Sequence, residues 1–169
     1  MTTTEQNFTI PGRLSGDGQI GVGDMGEHVN SGISRAVYAF RGRRDLVIKI
    51  THDGEPPTQN IIENRIWDHH RSWTIPGPKD WLAPVLWMSD DARELVMART
   101  APIVRAQIPE RLPAFLTDIK AENFGMLKGR VVCHDYGTVI LDLPMRLRRW
   151  YITRDELGSL PKWAVDRLA

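Results

Sequence analysis

One cysteine, Cys133, is all that the 169-residue chain contains. That excludes an internal disulfide framework and zinc modules built on several thiolates, and it suits a reducing compartment such as the cytoplasm. An excess of charge of one sign is missing too. Twenty-two Lys+Arg stand against 21 Asp+Glu, a formal net charge of +1, so no overall field marks a membrane-surface or nucleic-acid-coating protein. Any partner must be recognised at a local site. No apolar run is long enough to span a bilayer, and the polar opening MTTTEQN lacks the basic-then-apolar order of a signal peptide. The expectation is a cytoplasmic chain with no membrane partner and no nucleic-acid partner. Internal repeats and low-complexity tracts are absent as well. What is present is 41% hydrophobic residues, sufficient for the core of one domain.

The distribution of those residues predicts an order of elements. Residues 1–26, rich in Thr, Gly and Asp, read as a loose leader. Ile33 to Phe40 and Leu46 to Ile50 are β-branched and aromatic runs separated by Arg41, Gly42, Arg43 and Arg44, a hairpin pattern. The cluster from His52 to Pro57 ends the second strand, and Thr58 reads as the cap of a helix carrying Glu63. Leu82 to Met88 and Glu94 to Met97 form a second hairpin pattern around Ser89 to Ala92, and Phe124 to Leu127 with Val131 to Cys133 a third around Lys128 and Gly129. Three prolines between Ala101 and Pro113 exclude a long helix there. In the tail, Thr153 to Glu156 reads as a capping box ahead of a short amphipathic turn opened by Pro161.

Several polar residues interrupt this pattern where chemistry would need them. Lys49 lies inside the apolar strand LVIKI, where an ammonium must find an anion or reach water, because leaving it buried and unpaired costs several kcal/mol. Taken alone it reads as an edge-strand lysine extending outward. Glu63, taken alone, reads as a solvated helix glutamate. Paired across the sheet face, however, its carboxylate would fix the lysine tip. Asp118, Lys120 and Asn123 follow as DxKxxN, and Asp135, Tyr136 and Gly137 come after a short hairpin. Any one of these residues falls at a given position by chance about once in 20. Asp118, Lys120, Asn123, Asp135 and Gly137 make five in order, and behind VIKI and a helical glutamate that is a specific signal.

This set resembles the catalytic loop and the DFG metal-binding turn of the protein kinases, over the stretch from about Gly26 to Gly137. The resemblance implies an α+β, minimal kinase-like fold. A small antiparallel-sheet N-lobe with one helix would span residues 27–100, and a strongly reduced C-lobe 101–169. It implies ATP and Mg2+ as cofactors. Lys49 would steady the α- and β-phosphates with Glu63 holding it. Asp118 would orient the acceptor hydroxyl and receive its proton, and Lys120 would offset charge on the moving phosphoryl group. Asn123 and Asp135 would be the magnesium ligands. Val37 would cover the adenine from above, Val47, in the strand resembling the family's VAIK, would belong to the nucleotide site, Met97 would back the adenine pocket, and Ala98, Arg99 and Thr100 would form the hinge. Gly32 is the glycine kept from the family's glycine-rich loop.

The departures from the family are equally specific. Residues 30–37 read NSGISRAV, with one glycine where the family has three, and Arg35 stands there either as a phosphate contact or, more ordinarily, as an exposed strand arginine. Leu116 and Thr117 replace the usual HR before the catalytic aspartate, which removes the arginine that answers a phosphorylated activation loop. The chain ends 32 residues after Gly137 without an APE sequence, so most of the platform for a peptide substrate is missing. Small kinase-like proteins of bacteriophages, which modify host proteins, are reduced in a similar way. The expected function is therefore ATP- and magnesium-dependent phosphorylation of Ser or Thr in proteins, with a host protein as substrate. The alternative is a pseudokinase-like module that inhibits a host protein by docking. The shortened lobe leaves a homodimer open.

Elsewhere, Arg146, Arg148, Arg149 and Arg154 with Trp150 and Tyr151 read first as a solvated face with aromatic anchors and second as a basic patch. His69 and His70, as helix neighbours, make a poor metal pair.

Overall fold

The computed structural model describes residues 24–70, 77–138 and 147–149. Among them a five-stranded antiparallel sheet holds β1 (Met25–Ser31), β2 (Arg35–Phe40), β3 (Arg43–Thr51), β4 (Val85–Met88) and β5 (Glu94–Ala98) in the order β1-β2-β3-β5-β4. One α-helix, α1 (Thr58–His70), connects β3 to the second half of the sheet through residues 77–84 and a short 3-10 helix at Pro78–Trp81. The result is an α+β arrangement, mostly antiparallel sheet with a single α-helix among the described residues. No helix among them is long and apolar enough to cross a membrane.

Strand alternation gives this sheet two unlike faces. Directly opposed residues share a face, and the register pairs Val37 with Lys49, Val47 with Met97 and Arg35 with Thr51. That face meets α1 and the larger core cluster, which includes Ile66, Leu95, Phe115, Phe124 and Tyr136. The opposite face carries a smaller cluster of Phe40, Leu46, Ile48 and Val96.

Two short ladders complete the fold. β6 (Ala101–Pro102), β8 (Phe124–Leu127) and β9 (Arg130–Cys133) form one, and β7 (Arg111–Pro113) pairs with β10 (Leu147–Arg149) in the other. The β8–β9 turn has positive φ at both Lys128 (49°) and Gly129 (77°), the backbone that matches strand twist in a two-residue hairpin. Gly125 allows β8 to run against Thr100, since a Cβ there would lie 2.1 Å from the threonine Oγ1. A parallel bridge from Leu82 to Cys133 ties the third hairpin to the larger sheet.

The three hairpins are those the sequence pattern predicts, with shifted ends. β1 begins at Met25, inside the expected leader, because its backbone pairs with β2 although its own side chains are mostly exposed and give no apolar signal. The predicted strand start at Ile33 is also corrected. That residue is 97% exposed in the β1–β2 turn, and β2 starts at Arg35. Thr58 is the first residue of α1 rather than its cap, for Ile61 N–H already donates to the Pro57 carbonyl at 3.1 Å. The rest of the leader and the capping box at Thr153 lie outside the described residues.

Ile48 is fully buried on the face away from the helix. Ile48→Ala should therefore lower stability by about 2 to 5 kcal/mol, read from the urea midpoint, through lost burial and an unfilled cavity.

Candidate functional site

β3 is the central strand of the sheet, so Lys49 is not the edge lysine that its isolated reading suggests. It is 3% exposed and faces α1. Glu63 on α1 is fully buried rather than solvated. The Lys49 Nζ donates to both Glu63 oxygens, at 2.9 and 3.1 Å, and to the His134 carbonyl.

Arg35 departs furthest from its expected role. It is 5% exposed, because β2 alternation sends it to the same face as Val37, under the helix. Its Nη1 donates to Asn60 Oδ1 and Glu63 Oε2, each at 3.0 Å, and its Nη2 to Glu63 Oε1 and, at 2.7 Å, to Asp135 Oδ1. The Tyr136 amide adds a further donor to Glu63 Oε1 at 3.2 Å. Asn60 is held in turn by the Ala92 and Arg93 carbonyls, each accepting from its Nδ2 at 3.0 Å.

This arrangement explains the protonation states. Burial pushes the Glu63 carboxyl upward, but the charges of Lys49 and Arg35 and their hydrogen bonds outweigh it and bring it down to about 2. Glu63 is therefore an anion between two cations. Burial pulls the Lys49 ammonium below its ordinary range, opposed by Glu63 and reinforced by Arg35. The Tyr136 phenol, raised first by burial and then by Glu63, donates to the Ala83 carbonyl at 2.9 Å and anchors the turn in the core.

A second set of contacts fixes the loop from Asp118 to Asn123. The Asn123 Nδ2 donates to both the backbone oxygen and Oδ2 of Asp118, each at 3.0 Å. The Asn123 carbonyl accepts from the amides of His134 (2.8 Å) and Asp135 (3.4 Å). One residue thus ties Asp118 to the Asp135 turn. Lys120 Nζ lies 3.1 Å from Asp118 Oδ1, with both side chains substantially exposed. The His134 Nε2 contacts the Glu122 carbonyl, which can only accept, so Nε2 carries the proton and Nδ1 accepts from the Thr100 hydroxyl, each at 2.8 Å. Burial, followed by the nearby Lys49 charge, lowers the His134 pKa and keeps the ring neutral.

Above these groups lies a hollow of about 580 Å3, within the range of small-molecule sites. Gly32, Val37, Val47, Lys49, Met97, Ala98, Arg99 and Asp135 all line it, as do Arg35 and Thr100. Glu63 lies behind Lys49. Asp118, Lys120 and Asn123 do not line the hollow and are joined to it through the Asn123 carbonyl. The amides of Ala98 and Arg99 donate to the Pro84 and Asp45 carbonyls, at 2.9 and 2.7 Å, so these two residues shape the wall rather than offer amide donors to it.

Asp135 and Asn123 carry hard oxygen donors, the type magnesium takes, and are joined through the Asn123 carbonyl. No group of three or more His, Cys, Asp or Glu among the described residues could hold a metal ion. A divalent cation there would complete its shell with phosphate oxygens and water, which is the usual state of protein-bound magnesium beside phosphates.

Arg35 was the residue least legible in advance. Its signals were its place in NSGISRAV, where the family has its glycine-rich loop, and an alternation position shared with Val37 opposite a lysine-bearing strand. Cys133 is buried, and its Sγ donates to the Asp135 carbonyl at 3.2 Å. Arg148 and Arg149 are exposed on β10, the latter 2.8 Å from Glu110, while Arg146, Trp150, Tyr151 and Arg154 lie outside the described residues. Neither a model of a known protein family nor a curated protein sequence matches this chain.

A depressed folded-state carboxyl contributes stability above its unfolded value, and that contribution is lost as pH falls toward the folded one. The share held by Glu63 should therefore disappear between about pH 4.5 and about pH 2. Urea midpoints measured across that window should fall steeply for the natural chain. They should fall less for Glu63→Gln, which should already be roughly 3 to 5 kcal/mol less stable at neutral pH because two buried cations lose their anion.

Proposed function

We propose that the hollow holds ATP with magnesium and that the chain transfers the terminal phosphoryl group to Ser or Thr hydroxyls of a protein, as the resemblance to bacteriophage kinase-like proteins implies. The observation that carries this reading is the buried Lys49–Glu63 pair opening onto a hollow lined by Asp135. A buried ion pair is an expensive way to stabilise a sheet, since apolar residues of similar volume commonly serve as well or better. Its position in a hollow whose wall also carries Val37, Val47 and Met97 fits a ligand with a flat apolar base and an anionic tail.

In this reading Lys49 and Arg35 face the phosphates, and Asp135 and Asn123 hold the cation. Magnesium, when bound, supplies positive charge against the phosphate oxygens. Asp118 accepts the proton of the acceptor hydroxyl as its oxygen forms a bond to the terminal phosphorus. The bond from that phosphorus to the bridging oxygen breaks, and ADP carries away the electron pair. Lys120, beside Asp118 and exposed, offsets charge on the group in flight. Phosphoryl transfer asks mainly for positioning and neutralisation, so this set supplies every role.

A second reading, a pseudokinase-like module that docks to a host protein, draws support from one observation. All three Lys49 N–H groups and all four terminal Arg35 N–H groups are already taken by protein oxygens. A host protein is the partner in either reading.

Labelled ATP, magnesium and a bacterial lysate should give labelled protein with the natural chain, and Asp118→Asn should lower the transfer by about 100-fold or more. No transfer by the natural chain, with ATP still raising its melting temperature, would favour the docking module.

A further inference from the structure

Arg35 stands where a glycine-rich loop would place a small residue, and its guanidinium bonds the residue assigned to the cation. Arg35 and Lys49 carry two positive charges, and Glu63 and Asp135 two negative ones, so the polar end of the hollow is neutral as it stands. An incoming triphosphate meets no net positive charge and no terminal N–H that lacks a partner on these two cations. Something must leave first. Glu63 and Asn60 are fully buried on α1, and the His134 oxygen belongs to the backbone. Asp135 is the exception, a side chain 46% exposed.

We infer that the Arg35–Asp135 ion pair makes nucleotide binding conditional on a divalent cation, with Arg35 becoming a phosphate-binding residue only when Asp135 turns from it to the cation. The inference rests on reading the hollow as a triphosphate site. Once Asp135 is engaged elsewhere, two cations face one carboxylate and the Arg35 Nη2 has a hydrogen to donate to a phosphate oxygen. The coupling is reciprocal, so a triphosphate that occupies Arg35 also releases Asp135 for the cation. Arg35 therefore does two jobs. It holds the Asp135 turn in place in the free protein, and it reports the cation's arrival to the phosphate end of the hollow.

The arrangement makes an unusual forecast, because removing an expected metal ligand should improve binding when metal is withheld. The test is titration of the full chain with a fluorescent ATP analogue, in EDTA and in magnesium. In EDTA, Asp135→Ala should bind roughly tenfold more tightly than the natural chain, and magnesium should add little to that variant while strengthening binding by the natural chain. Asp135→Asn keeps the shape of the side chain and leaves Arg35 only a neutral acceptor, so it should move in the same direction by a smaller factor. Melting temperatures of both variants check that they fold. Equal or weaker binding by the variants in EDTA would overturn the inference. So would a natural chain that binds equally well with and without magnesium. Failure of the natural chain to bind under either condition would sink the reading of the hollow itself, a result distinct from the other two.

Discussion

A carboxylate with no exposure, flanked by two cations, is the constraint around which the described residues are organised. Glu63 accepts from Lys49, Arg35 and the Tyr136 amide, and in doing so it joins the central strand, its neighbour, the helix and the turn after β9. Each group alone would be costly to bury, and each is tolerable because the others are present. The cluster thereby fixes the helix against the sheet. It also places Lys49, Arg35 and Asp135 together at the wall of the hollow.

The second organising element is backbone geometry around Asn123. A single carbonyl receives the amides of His134 and Asp135, and the side-chain amide of the same residue grips Asp118. Two carboxylates 17 positions apart in the chain are thus kept in relation without touching. His134, neutral and bonded at both ring nitrogens, links Thr100 to Glu122 and braces the same loop from the other side. The close approach of Thr100 to Gly125 completes the brace. These contacts are what give a short chain a defined pocket floor.

Much of this was legible in the residues. Alternating β-branched strands, the turns at Arg41–Gly42 and Lys128–Gly129 and the prolines ahead of Thr58 announce the hairpins and the helix. What the letters hid has a common physical cause. The inward face of α1 carries Asn60 and Glu63 as well as Ile66, so apolar periodicity understates how deeply the helix is buried. β1 is held by backbone pairing and exposes most of its side chains, so nothing apolar marks it. Arg35 and Lys49 look like surface residues because their partners come from α1 and from the turn a hundred residues after Arg35, and only the folded sheet brings those partners together. The kinase-like pattern singled out Lys49, Glu63 and Asp135 as a set. It read Arg35 as a phosphate contact or an exposed strand residue, and the fold puts it at their centre.

The account turns on whether the charged cluster is the inner wall of a nucleotide site. The most direct measurement is a crystal structure of the chain with magnesium and a non-hydrolysable ATP analogue. The base should lie between Val37, Val47 and Met97, and the phosphates against Lys49 and Arg35, with Asp135 turned away from the guanidinium. An analogue bound elsewhere, with the Arg35–Glu63–Lys49–Asp135 contacts intact and the hollow filled only by solvent, would contradict it.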